Sequence, residues 1–177
     1  MPDIYKLAVK FRKAVESAHD KGLFAHDIGF DDFPTGSCGD TCYLLAEYLK
    51  GFGIETIWYS AERDDRSHAW LVVKDTRVKK PTTRFFEVPD DIRGVLNQYS
   101  GGQYNELIDI TRYEETDLQD GLIIDITGDQ FKDYDCSVYV GSIDPFHRTF
   151  EFIQAFEYDG LNNERLYSLY RTIIEEM

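Results

Sequence analysis

Cys38, His68 and Asp125 are the side chains whose types and settings could make a nucleophile. Gly36-Ser37-Cys38-Gly39-Asp40-Thr41-Cys42 reads as a tight turn running into a helix. Pro34 and Gly36 break what precedes it, and Ser37 is placed to cap it. Cys38, Cys42, Leu45, Leu49 and Phe52 recur at helical spacing and share one face, and Gly51 and Gly53 end the run. A cysteine in the first turn meets unpaired N–H groups and the positive end of the helix dipole, which lowers a thiol pKa. Cys42, one turn deeper on the apolar stripe, reads as inert packing. His68 heads the apolar strand at residues 67–73, and Asp125 is the carboxylate inside a second apolar strand at residues 122–127. A neutral imidazole can take a thiol proton, and an aspartate on the far ring nitrogen fixes its tautomer.

The chemistry this implies is attack by the Cys38 thiolate on a carboxamide or acyl carbon. His68 accepts the thiol proton and later protonates the leaving amine. The oxyanion would meet the Cys38 backbone N–H and a second donor, for which Trp58, Gln130 and Ser37 all stand. Water as acceptor gives a peptidase, amidase or deamidase; an amine gives a transferase. Hydrolysis needs no second substrate site and is the simpler outcome. A different class, a non-enzymatic acidic module that antagonises a basic partner, stands beside it.

Other constellations fit less well. Cys38, Cys42 and His68 do not have structural zinc spacing. Gly36-x-x-Gly39 lacks the lysine and the preceding strand of a phosphate loop. No cofactor or metal is expected. His26 lies in an acidic loop, and His147 follows the turn Asp144-Pro145-Phe146; both read as loop histidines. Asp109, in a strand at residues 107–111, repeats the local setting of Asp125 and is its rival as the third member.

The surrounding elements must hold these groups. Residues 2–18 read as an amphipathic helix capped by Asp3, with Ile4, Leu7, Ala8, Phe11, Val15 and Ala18 inward. Lys6, Lys10, Arg12 and Lys13 form its solvated faces. A strand at residues 54–61 and a charged turn lead into the His68 strand, giving an antiparallel hairpin. Both faces of the His68 strand are apolar, which marks it as central. Residues 75–120 form an insertion, either a lid or a decoration that lengthens the sheet. It holds a helix opened by Val88-Pro89 and running to about Tyr99. A strand at 136–141, an aromatic stretch at 150–156 and a helix at 163–176 capped by Asn162 complete the chain.

A chain of 177 residues that is 42% hydrophobic can build one domain, residues 1–177, around a real core. The net charge of -14 argues against unaided binding to nucleic acid or to an anionic membrane. It permits a peptide or protein substrate with cationic character. Three cysteines make no disulfide framework, and no apolar leader or spanning run appears, so a cytoplasmic setting with reduced thiols is expected. The sequence does not fix the oligomeric state.

Gly36-x-Cys38-x-Asp40, the Leu44-Leu45-Ala46 helix, the Gly53-Ile54 exit, the His68-Ala69-Trp70 strand and the Ile124-Asp125 strand together resemble the transglutaminase-like branch of the papain-like cysteine fold. The resemblance runs over residues 33–131. It implies an α+β fold with a cysteine helix packed on an antiparallel sheet, with Cys38 as nucleophile, His68 as base and Asp125 as orienter. Arylamine acetyltransferases share this arrangement, but their paired glycines and arginine before the cysteine are absent here. The long segment between His68 and Asp125 departs from the family pattern.

Overall fold

The computed structural model describes residues 2–87, 107–161 and 163–177. The architecture is mixed α+β. A five-stranded sheet in the order β6-β5-β2-β1-β7 is made of β1 (Thr56–Arg63), β2 (Arg66–Val73), β5 (Ile123–Asp125), β6 (Tyr139–Gly141) and β7 (Glu151–Glu157). Each described pairing is antiparallel. Helices α1 (Ile4–Asp20), α2 (Cys38–Lys50) and α4 (Glu164–Glu175) share a core with one sheet face. The other face is closed by Phe131, Phe146 and Phe150 against Tyr59, Trp70 and Ile123. The central position of β2 follows from its apolar residues on both faces: Ala69, Leu71 and Val73 join the helix-side core, and Trp70 and Val72 the opposite one.

The hairpin of β1 and β2 sets the register of the site. Ala61 opposes His68, Ser60 opposes Ala69 and Trp58 opposes Leu71. Asp64 and Asp65 make the turn with φ of 52° and 60°, a left-handed pair that suits the twist of a two-residue hairpin and that aspartate tolerates.

Helix α2 begins at Cys38, but Ser37 does not cap it. Ser37 is itself helical, with φ -95° and ψ -2°, and its hydroxyl donates to the Pro34 carbonyl at 2.9 Å. Gly36, at φ 72°, makes the turn instead, where a side chain would be strained. The helix ends at Lys50, so Phe52 leaves the stripe and is 46% exposed.

In the segment between His68 and Asp125, β3 (Thr82–Glu87) and β4 (Leu107–Arg112) pair as a separate two-stranded sheet, followed by the short helix α3 (Glu115–Leu118). This hairpin does not lengthen the main sheet. The helix expected over residues 88–99 lies outside the described residues. Asn163, one residue later than expected, caps α4 by accepting from the Leu166 N–H at 2.9 Å. Among the described residues, no helix is long and apolar enough to cross a membrane.

Candidate active site

Cys38 is the first residue of α2, where its backbone N–H has no acceptor within the helix. Its side chain packs under β2 and keeps only 8% of its surface. Burial pushes the thiol pKa up. The hydrogen bond and charge of His68, the Ala69 N–H and the Gln130 side chain together outweigh that and bring it below the ordinary thiol value. Cys42, one turn on, is held well above that value by burial and by the charges of Cys38 and Asp125. Two thiols four residues apart thus have opposite character.

His68 heads β2, packs on Phe131 and Phe150 of the aromatic cluster, and lies close enough to the thiol to lower its pKa. Its ring is fully buried, and Nε2 lies 2.8 Å from Asp125 Oδ2. Burial alone would lower the imidazole pKa. The Asp125 charge, the Asp125 hydrogen bond and the Cys38 thiolate reverse that and raise it to about 9. The thiol moves down and the imidazole up, and both shifts favour a thiolate–imidazolium pair.

Gln130 bears on the His68 ring nitrogen that Asp125 leaves open. Its Oε1 accepts from the Gly36 N–H at 3.3 Å, and its Nε2 donates to the Thr127 carbonyl at 3.0 Å. Those two backbone groups orient the amide. The same Nε2 lies 3.2 Å from His68 Nδ1, so in the neutral ring Nδ1 is the acceptor and Nε2 carries the proton to Asp125. The lone pair is then on the nitrogen that must take the thiol proton.

Asp125, the last residue of β5, is buried with four donors on two oxygens. Thr127 supplies its N–H at 2.9 Å and its hydroxyl at 3.2 Å to Oδ1. His68 and His147 bear on Oδ2 at 2.8 and 3.1 Å. Burial pushes the carboxyl up, yet the His68 charge and the two imidazole hydrogen bonds hold it well below the usual range. Its rival Asp109 opposes Phe85 in the two-stranded sheet, away from the β2–β5 ladder. Of the two, Asp125 is the partner of His68.

Two further residues support the site. Arg12 is not on a solvated face: it is buried, stacks over Phe33 and donates to the Ile126 carbonyl at 2.6 Å and to Asp129 at 2.9 and 2.8 Å. It pins the turn that joins Asp125 to Gln130. His147 is not a loop histidine either. It is fully buried in a short 3-10 turn, His147–Thr149, and shares Asp125 with His68. Its N–H and Nδ1 meet Asp144 Oδ1 at 2.9 and 2.7 Å, and Tyr134 donates to Asp144 Oδ2 at 2.8 Å. The sequence signal for it was the aspartate three residues earlier, with Phe146 just before it and Phe150 three residues on.

Among the described residues, the His, Cys and carboxylate group compact enough to hold a metal is His68, Asp125 and His147, with ligand atoms within 4.8 Å of one another. The set Cys38, Cys42 and His68 does not gather in this way. The amide of Gln130 weighs against a metal on His68, because coordination through Nε2 needs a lone pair where the hydrogen bonds place a proton. The arrangement suits the sharing of protons.

Comparison with protein-family models, with curated proteins and with solved structures finds no match for this chain.

Proposed function

We propose that the protein is a cysteine-dependent hydrolase acting on a peptide or protein amide, with Cys38 as nucleophile, His68 as base and acid, and Asp125 as orienter. The observation that carries this reading is the buried His68–Asp125 pair at 2.8 Å beside a thiol at the start of α2, which the neighbouring His68 pulls below its ordinary pKa. The cysteine helix on an antiparallel sheet and the residue order also support a papain- or transglutaminase-like fold.

The Cys38 sulfur attacks the amide carbon, and the carbonyl becomes an oxyanion. The His68 imidazolium gives its Nδ1 proton to the leaving nitrogen as the C–N bond breaks, leaving a thioester. His68 then takes a proton from water, the hydroxide oxygen adds to the thioester carbon, and the C–S bond breaks to release the acid. The oxyanion would meet the Cys38 N–H and a second donor. Ser37 drops out, because its hydroxyl is spent on Pro34. Gln130 Nε2 donates to the Thr127 carbonyl and lies beside the thiol, so its other N–H stays in contention. Trp58 Nε1 is buried and unpartnered, and Trp58 packs in the helix-side core, which makes it the second candidate.

The test is alkylation by iodoacetamide at pH ~6, below the free-thiol pKa, with adducts mapped on the native protein. Fast labelling confined to Cys38, lost in His68→Ala, supports the reading. Slow and equal labelling of Cys38 and Cys136 overturns it and leaves the acidic binding module.

A further inference from the structure

Asp125 Oδ2 is shared. His68 Nε2 approaches it at 2.8 Å and His147 Nε2 at 3.1 Å, with the two rings 6.4 Å apart and inclined by 25°. A triad needs only the first of these contacts. The second comes from a side chain whose other nitrogen is 2.7 Å from Asp144 Oδ1, itself held by Tyr134 and by the His147 N–H. Both His147 nitrogens therefore face carboxylate oxygens, and because a carboxylate only accepts, the contact to Asp125 is made by an Nε2–H. The ring sits in an aromatic box of Trp70, Tyr134, Tyr139 and Phe146 and has no exposed surface.

A carboxylate that accepts an additional N–H is a weaker base toward the donor it already has. The shared oxygen thus couples the acidity of His68 to the presence of His147. We propose that His147 is a positioning residue for the Cys38–His68 pair: by donating to the oxygen that holds His68, it divides Asp125 between two imidazoles and keeps His68 acidic enough to surrender its proton to a leaving amine. This rests on the reading of Cys38 as nucleophile. General acid catalysis works best when the acid titrates near the working pH, and an imidazolium paired with an unshared buried carboxylate would hold its proton too tightly.

The titratable groups that bear on this pair come from several elements. Cys38 and Cys42 lie on α2, Asp125 on β5, Tyr139 on β6, and Tyr134 and Asp144 in the connections on either side of β6. Arg63 and Arg66, at the β1–β2 turn, lie over the Phe131 ring that packs on His68.

The test is the titration of His68 followed by its imidazole NMR signals in the wild type, His147→Phe and His147→Gln, beside the pH profile of Cys38 alkylation. His147→Phe fills the box and donates nothing; His147→Gln keeps one donor. In His147→Phe the His68 midpoint is expected to rise by about one pH unit, and the acid limb of alkylation to move to lower pH. His147→Gln is expected to fall between that variant and the wild type, and it decides alone if the phenylalanine variant does not fold. A midpoint that stays or falls in the folded variants overturns the proposal, since a ring that only packs would leave it in place or loosen the pair. A wild type in which Cys38 labels no faster than Cys136 overturns the nucleophile reading itself, whatever the His147 variants do.

Discussion

His68 Nε2 and Asp125 Oδ2 stand 2.8 Å apart with both side chains shut off from solvent. A buried imidazole would ordinarily lose its proton, and this contact is the main reason that His68 keeps it. Replacing Asp125 by Asn leaves the shape and removes the charge. Asp125→Asn is expected to slow Cys38 alkylation at pH ~6 by about tenfold or more, while Asp109→Asn leaves it within about twofold of wild type. Iodoacetamide rates on both variants check this.

Substituting Trp58 tests the proposed oxyanion site apart from thiolate formation. Alkylation forms no oxyanion, whereas amide hydrolysis does. Trp58→Phe is expected to lower kcat on a peptide amide by about 10²-fold and to leave the alkylation rate near wild type. Equal losses in both assays would assign Trp58 to packing against Tyr43 and Phe156.

The ion pair also has a signature in stability. His68 titrates higher in the folded chain than in the unfolded one, so its contribution is fully present below pH ~6.5 and is lost as the pH rises through about 9. Cys38 titrates lower when folded, so its contribution has the opposite slope and is lost as the pH falls through its folded value. On the proposed thiolate–imidazolium pairing, the folded chain holds a proton on His68 where the unfolded chain holds one on Cys38, and the two slopes offset. Cys38→Ala removes the compensating group. Its stability relative to wild type is expected to fall as the pH rises from ~6.5 toward the folded His68 value, read from urea unfolding midpoints at several pH values.

Arg12 ties α1 to the turn that carries Gln130. Arg12→Ala leaves the Ile126 carbonyl and Asp129 without their donor, and the cost is expected to be about 3 kcal/mol, at the low end for a broken buried pair because Asp129 keeps some solvent. Denaturant unfolding of the variant measures it. A loss well under 1 kcal/mol would mean that water replaces the guanidinium freely.

Much of this was legible in the chain because local patterns carried it. The thiol at a helix start, the histidine at the head of a strand apolar on both faces, and the carboxylate between isoleucines each had a local signal, and the folded chain sets the histidine against the carboxylate. What the sequence did not show depends on distant partners. Arg12 looked solvated because it sits among lysines on an amphipathic helix; only the packing of α1 beside the β5 exit reveals Asp129 117 positions away. His147 looked like a loop residue because its partner Asp125 lies on another element. Ser37 failed as a cap because the preceding Gly36 turn had already put it in helical conformation. Asp109 and Asp125 have near-identical neighbours, and only strand pairing tells them apart.

The central claim is that the Cys38 sulfur is an anion beside a protonated His68 at neutral pH. The most direct measurement is the ultraviolet thiolate absorbance of the native protein against pH, taken as the difference between wild type and Cys38→Ala. The account predicts a Cys38 band that persists below pH ~7 and moves to higher pH in His68→Ala. A difference band that rises only near the ordinary thiol value of about 8.5, with or without His68, would contradict it.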